Sequence, residues 1–168
     1  MTEFQEADKR LELAYDAAMK RLAMQDNTFG NVRTRANNLL ATAALFTSFS
    51  SGVGLINTDP KKTAVLSPCI ATVLLVVVLL LGSCVLFVLL PAKGWIYGPS
   101  AQKIMDMRDK KMMDEGAIRT EVITRMIEGI DLNNKKLDAR LWAFRAAALL
   151  LVVEIGILAA HLTVWGRA

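Results

Sequence analysis

Residues 68–90 read PCIATVLLVVVLLLGSCVLFVLL, and none of these twenty-three residues carries a charge. Ser67 before the stretch and Pro68 at its first position are typical of a helix N-terminus, and Pro91 ends the helix. A helix of this length rises about 34 Å, slightly more than the roughly 30 Å hydrocarbon core of a bilayer. The stretch therefore predicts a transmembrane helix.

The composition of the whole chain agrees with a membrane protein. Of its 168 residues 54% are hydrophobic, whereas soluble domains average about 45–50%. This excess excludes a soluble globular enzyme, a secreted disulfide scaffold and a disordered tail. Cys69 and Cys84 both fall inside the apolar stretch, about 22 Å apart along a helix, so they cannot form a disulfide with each other. We interpret them as small packing residues.

Two further stretches are long enough to cross a bilayer, residues 36–56 and residues 142–165. Residues 36–56 are uncharged but rich in amide, hydroxyl and small side chains, which allow helices to approach closely in lipid. We favour a helix buried in a bundle for this span, with a helix lining a polar path as the alternative. The predicted fold is thus an all-α, polytopic membrane protein with three transmembrane helices.

The N-terminal segment, residues 3–35, predicts an amphipathic helix. Apolar residues recur in it at intervals of three and four, and the flanking charges alternate in sign. A strongly basic polar face would indicate a helix lying on lipid, so the alternation favours packing on another protein helix. Residues 26–35 contain Gly30 but no proline, which leaves open whether the chain kinks or turns before the first span.

The segment between the second and third spans, residues 91–141, also predicts helices. Pro99 and Ser100 signal a helix start, and residues 114–116 predict a break. An apolar stripe then leads into the third span without a proline, which predicts one helix of nearly fifty residues. Methionines are frequent in this segment. We favour core packing for them over a methionine-rich groove for a partner.

The distribution of Lys and Arg predicts the orientation in the membrane. Six lie in the N-terminal segment and eleven in residues 91–145, against two in the loop at 57–67 and one in the tail at 166–168. Cytoplasmic segments are enriched in these residues. We therefore expect a plasma-membrane protein with a cytoplasmic N-terminus and an outer C-terminus. Four aromatic residues are candidate anchors at the membrane surface: Trp95, Tyr97, Trp142 and Trp165.

Glu154 is the candidate functional residue because it lies near the middle of the third span. A carboxyl group there costs roughly 3 kcal/mol unless it is protonated or partnered, so it should face protein or water. His161 lies seven residues later on the same helix face. One interpretation is a proton- or ion-responsive position in an oligomeric pore. The other, which we favour, is a hydrogen bond across the bundle to the first span, where the candidate partners are Asn37, Asn38, Thr42 and Thr47.

Motifs for catalysis or metal binding are not found in the sequence. It has no glycine-rich phosphate loop, no cysteine pair at metal-ligand spacing and a single histidine. We therefore predict no catalytic residue, no metal site, no cofactor and no enzyme activity. We also expect no direct binding of nucleic acid, because the basic residues follow the positive-inside pattern.

Two motifs and the order of the elements resemble a known family. Residues 33–42 read RTRANNLLAT, and residues 134–137 read NKKL and are followed by Arg140. With the order of helix, two spans, cytoplasmic helices and a further span, they resemble the Pycsar-type transmembrane effector domain of bacterial anti-phage systems. The resemblance implies an oligomer that perturbs the inner membrane after nucleotide signalling. A cyclic-nucleotide-binding domain is not recognisable, so the resemblance carries over no ligand residues.

Two functions follow as hypotheses. The first is an oligomeric inner-membrane effector that perturbs membrane integrity or conducts ions, with a nucleotide-sensing protein as a candidate partner. The second is a non-catalytic scaffold in plasmid transfer or envelope machinery, because the chain also resembles small integral membrane and plasmid-transfer proteins of actinobacteria. Both involve the lipid bilayer. The polar first span favours a homo-oligomer, and the cytoplasmic helices favour a cytoplasmic protein partner.

Overall fold

The computed structural model describes residues 2–55 and 68–165, and the regular elements in these ranges are all α-helices. Within them the order is α1 (Thr2–Leu55), α2 (Pro68–Leu89), α3 (Ala101–Lys111) and α4 (Glu115–Trp165). The all-α prediction is therefore confirmed. The predicted loop at 57–67 and the tail at 166–168 lie outside the described residues.

Two of the helices are long and continuous, and for the first of them the sequence had left a kink or a turn open. α1 runs through residues 26–35 without a break, which excludes the turn. A single glycine costs a helix only about 1 kcal/mol, so Gly30 is not enough to end it. α4 is one helix of 51 residues. The break before it falls at residues 112–114, because Met112 adopts a left-handed conformation with φ of 49° and ends α3.

The chain forms two compact units. The polar unit comprises residues 1–30 and 91–139, and the apolar unit comprises residues 31–90 and 140–168. In sequence, the polar unit has thirteen Lys and Arg against fourteen Asp and Glu, and the apolar unit has seven against two. The positive charge of the chain therefore belongs to the apolar unit.

The polar unit has a core of the kind found in soluble proteins. One face of α1, with Ala18 and Leu22, packs against Val122, Met126 and Ile130 of α4. This contact is the helix-on-helix packing that the alternating charges favoured. Large apolar side chains fill the interior, as expected where water surrounds the unit.

The apolar unit has the opposite distribution of side-chain size. Three alanines, Ala36, Ala43 and Ala147, lie in its core. Packed with them are one valine of α1 and two valines and one leucine of α2. Large apolar residues point outward instead, and the following are among them: Leu45, Phe49, Leu79, Leu149 and Val152. Small residues inside and large ones outside are the pattern of helices that pack in lipid.

Two helices are long and apolar enough to cross a membrane. The most apolar windows of α2 and α4 have mean hydropathies of 3.1 and 2.1, and only 22% and 17% of these windows is buried. The prediction of three spans is not supported by the described residues. Asn37 and Asn38 lower the hydropathy of the α1 segment, and the side chains of residues 50–56 lie outside those that the structure describes.

Candidate functional site

Glu154 is completely buried in the apolar unit, where it contacts α1. The hydroxyl oxygen of Thr47 lies 2.8 Å from Glu154 Oε1 and 2.9 Å from the backbone oxygen of Ala43. A hydroxyl has one proton, so it donates only one of these two bonds at a time. Glu154 Oε2 is buried and has no hydrogen-bond partner among the described residues. The site is thus a carboxyl group joined to the neighbouring helix through one of its oxygens.

Of the four partners considered for Glu154, the structure brings only Thr47 to it. Asn37, Asn38 and Thr42 are exposed, and the Thr42 hydroxyl donates to the backbone oxygen of Asn38 in its own helix. His161 is half-buried, two turns further along α4. The cost of a carboxyl group in the membrane predicted a partner on the first span, but it did not select Thr47 among the four candidates.

The four candidate anchors have different environments. The Trp95 ring is buried and stacks on Phe29 with 4.8 Å between the ring centroids, so it packs on protein rather than facing lipid headgroups. Its indole N–H is buried without a partner among the described residues. Tyr97 and Trp142 are about two-thirds exposed, as anchors require. The side chain of Trp165 lies outside the description.

A buried amide network in the polar unit was not predicted from the sequence. Asn133 is fully buried and bonds both backbone groups of Ile96: it donates to the carbonyl at 2.7 Å and accepts from the N–H at 3.1 Å. Gln25 of α1 donates to the Ile130 carbonyl at 2.9 Å and to Asn134 at 2.7 Å. The network fastens α1 and the segment before α3 to α4. The signal was present in the sequence, because residue 133 continues the stripe of positions 126, 130 and 137.

The segment between α2 and α3 lies close against α4 in two further places. Lys136 Nζ donates to the carbonyl of Gly94 at 2.5 Å, and Gly94 has a φ of +68° that glycine adopts without strain. Gly129 faces Ile96 so closely that a Cβ there would lie 3.0 Å from Ile96 Cγ2. These contacts hold the segment in one conformation.

Two arginines of the apolar unit meet at the C-terminus of α2. Arg33 of α1 donates to the Leu89 carbonyl at 2.9 Å, and Arg140 of α4 donates to the Leu90 carbonyl at 3.3 Å. Both bonds cap carbonyl groups that have no partner within the helix. The Arg140 side chain is buried, and its guanidinium carbon lies 5.6 Å from the centre of the Phe87 ring. In the sequence, Arg33 and Arg140 are part of the motifs that carry the family resemblance, and no structural role was predicted for either.

The polar unit also contains open cavities. One of about 500 Å³ lies between the segment before α3 and α4, and its lining includes Tyr97, Lys103 and Arg125. Another of about 470 Å³ is lined by Tyr15 of α1 and by residues of α3 and α4, among them Met105. Among the described residues, no group of three His, Cys, Asp or Glu side chains lies together as a metal site would require.

Comparison with known proteins identifies no relative. No family model, no curated protein and no solved structure matches the chain.

Proposed function

We propose that this protein is an oligomeric integral membrane effector that perturbs the bacterial inner membrane, with three crossings and a cytoplasmic polar unit. The observation that carries the proposal is that small residues lie in the core of the apolar unit while large apolar residues lie on its surface. Its core is built around alanines such as Ala43 and Ala147, whereas Leu45 is 72% and Leu149 68% exposed. In water this surface would promote aggregation, but in lipid it is solvated.

The polar unit supports the third crossing. Ala18 and Leu22 precede the first predicted span and share one core with Val122 and Met126, which follow the second. Segments that share one core lie on the same side of a membrane. In the chain, α2 lies between these two segments and crosses the membrane once. This arrangement supports one more crossing between the end of the polar unit and α2. Exposed apolar residues on α1, such as Phe49, suit this crossing.

The distribution of basic residues supports the orientation. Seventeen Lys and Arg fall on the side of the polar unit and three on the other side. The positive-inside rule places the larger group in the cytoplasm, together with the N-terminus, and leaves the C-terminus outside.

The buried Glu154 supports an active role in the membrane rather than simple anchoring. An ionisable residue within a membrane helix is expensive to keep and usually marks a functional position. Here one carboxylate oxygen contacts Thr47 while the other has no partner among the described residues. A helix that served only as an anchor would not need this group. The resemblance to the transmembrane effector domain adds the expected outcome, which is loss of membrane integrity.

Induced expression in a bacterial host tests the effector function. We expect loss of membrane potential, measured with a potential-sensitive dye, and arrest of growth. Leu79→Arg should weaken both effects, because an arginine at the centre of α2 costs roughly 3 kcal/mol of insertion free energy. Leu13→Arg changes an equally exposed leucine of the polar unit and should leave both effects intact. Normal growth and potential with abundant membrane-inserted protein would rule the effector function out.

A second candidate function, a membrane scaffold, is favoured by the surface of the polar unit. Leu13, Met24 and Met112 are exposed there, and two open cavities lie beside α3. Such a surface suits a cytoplasmic protein partner. The neighbouring genes distinguish the two candidates, since a nucleotide cyclase gene favours the effector and transfer genes favour the scaffold. Cross-linking that captures no component of transfer or envelope machinery would count against the scaffold.

A further inference from the structure

The apolar unit has one basic end, which is the end where α2 has its C-terminus. Four arginines lie there. They are Arg33 and Arg35 of α1 and Arg140 and Arg145 of α4. Among the described residues of this unit, Glu154 is the only acidic residue. It lies fourteen residues beyond Arg140 on the same helix, about 21 Å away. The described residues at this end of the apolar unit are therefore rich in positive charge.

Hydrogen bonds bring two of these arginines together. Because Arg33 and Arg140 bind the consecutive carbonyls of Leu89 and Leu90, both guanidinium groups lie at the same helix end. Two positive charges held together repel each other, and an anion between them would offset the repulsion. The guanidinium group has five N–H donors in a planar fork, so it can bind a carbonyl and a phosphate together.

The neighbouring residues indicate which anion fits. Phe87 of α2 is about half exposed, and its ring lies beside the buried Arg140, so apolar surface adjoins this charge. Trp142 is exposed, and the Arg145 guanidinium carbon lies 5.3 Å from its ring centre. Tryptophan is enriched at the level of lipid headgroups. A ligand with a phosphate above and acyl chains below matches both parts of this surface.

We propose that Arg33 and Arg140 bind the phosphate of an anionic phospholipid headgroup in the cytoplasmic leaflet. Basic pockets between transmembrane helices on this side of a membrane are suited to such headgroups. The proposal rests on the membrane crossings proposed above but not on the effector activity. A lipid bound here would also attach α1, α2 and α4 to the membrane surface at one point.

Lipid retention by the purified full-length protein tests the proposal. The protein is extracted in neutral detergent and offered equal amounts of phosphatidylglycerol and phosphatidylcholine, and the bound lipid is counted by native mass spectrometry. We expect phosphatidylglycerol to be retained in preference, and the preference to fall about fivefold for each arginine removed. Inorganic phosphate is the third arm and should not displace the lipid at millimolar concentration.

Three variants separate binding from folding. Arg33→Gln removes a charge from an exposed side chain, and Arg140→Lys keeps the charge but removes the planar fork. Both should reduce the preference for phosphatidylglycerol. Arg21→Gln, the control, removes an exposed arginine from the same helix within the polar unit and should leave the preference unchanged.

The remaining outcomes would overturn the proposal. Equal retention of the two lipids shows that no headgroup site exists, and displacement by inorganic phosphate shows a general anion site. An equal effect of Arg21→Gln and Arg33→Gln shows that only net charge matters. Extraction of the protein from membranes by alkaline carbonate tests the crossings separately: release of the protein would refute them together with the lipid site, whereas loss of lipid preference in retained protein refutes the lipid site alone.

Discussion

The polar and apolar units bury polar groups in different ways. In the polar unit, Gln25 and Asn133 are buried with several hydrogen bonds each, and Asn133 bonds both backbone groups of Ile96, which lies outside the helices. In the apolar unit, Glu154 is buried with one hydrogen bond among the described residues, to the hydroxyl of Thr47. Thr47 also lies within hydrogen-bonding distance of its own helix backbone.

This difference shows that burial alone does not measure how much a polar residue contributes to stability. What matters is whether other groups lose their only partner when it is removed. Asn133 serves the N–H and the carbonyl of Ile96, so its loss leaves both without a bond. Thr47 can turn to Ala43 when Glu154 is absent. The same kind of substitution should therefore have very different effects in the two units.

The largest effect is expected from Asn133→Leu. Leucine has a similar volume but leaves three groups without a partner: the N–H and the carbonyl of Ile96 and the Gln25 side-chain oxygen. Each buried unsatisfied group costs about 1–3 kcal/mol, so we expect a loss of about 3 kcal/mol in the free energy of unfolding. Hydrogen exchange should show faster exchange at the Ile96 amide.

Asn134→Leu is the matched control for this change. Asn134 is only half-buried and contributes one bond to Gln25, so its loss should cost about 1 kcal/mol. If Asn133→Leu is no more harmful than Asn134→Leu and the Ile96 amide stays protected, the network does not fasten the segment to α4.

Gly129→Ala tests the close packing around the same segment. The added Cβ would lie 3.0 Å from Cγ2 and 3.2 Å from Cδ1 of Ile96, and a β-branched side chain has little freedom to move away. Overpacking of this kind costs about 1–3 kcal/mol, and alanine returns about 1 kcal/mol of helix propensity. We expect a net loss of about 1 kcal/mol in thermal or chemical unfolding.

The control for this substitution is Gly30→Ala in α1, where no atom lies within 4 Å of the new Cβ. It should stabilise the protein by up to about 1 kcal/mol. If both glycine substitutions raise stability, the segment carrying Ile96 is not held firmly against α4.

A third substitution tests the turn between α3 and α4. Met112 is 90% exposed and has a φ of 49°, so its side chain gains little from burial while its backbone is in an unfavourable region. Met112→Gly should raise the free energy of unfolding by about 1 kcal/mol. Met105→Gly, at an exposed position within α3, should lower it by about the same amount. Opposite signs in the same unfolding assay would locate the effect in the backbone conformation.

Most of the helices were predictable from local sequence. The apolar run from Pro68 defined α2, and the stripe that includes Val122 and Met126 defined α4 and its packing face. The break before α4 was misplaced by two residues, because a left-handed methionine has no sequence signal as strong as glycine. The support for the first span was overestimated, since its amides and hydroxyls keep the hydropathy low.

The contacts between distant segments were less predictable. The cost of a carboxyl group in the membrane predicted that Glu154 bonds to the first span. Choosing Thr47 among four candidates requires the offset of the two helices along their axes, which the sequence does not give. Trp95 was assigned to the membrane surface because it follows a span, yet it stacks on Phe29, which lies 66 positions away in the chain. Asn133 was overlooked because its partners come from two other segments.

The smallest change in the free energy of unfolding is expected from Glu154→Leu, although Glu154 is fully buried. Leucine removes the contact with Thr47 and also the Oε2 atom, which has no partner among the described residues. The Thr47 hydroxyl keeps the Ala43 carbonyl at 2.9 Å, so no donor is left unmet. Interhelical hydrogen bonds in membranes contribute about 0.6 kcal/mol on average, so the free energy of unfolding should change by less than about 1 kcal/mol. Glu154→Gln keeps the hydrogen-bonding capacity and should be equally stable.

Unfolding by SDS titration in mixed micelles measures both variants beside Asn133→Leu. A loss for Glu154→Leu as large as that for Asn133→Leu would mean that Glu154 supports more of the apolar unit than its contact with Thr47. If stability is retained while depolarisation of expressing cells is lost with Leu but kept with Gln, the carboxyl position serves function through its hydrogen bond rather than its charge.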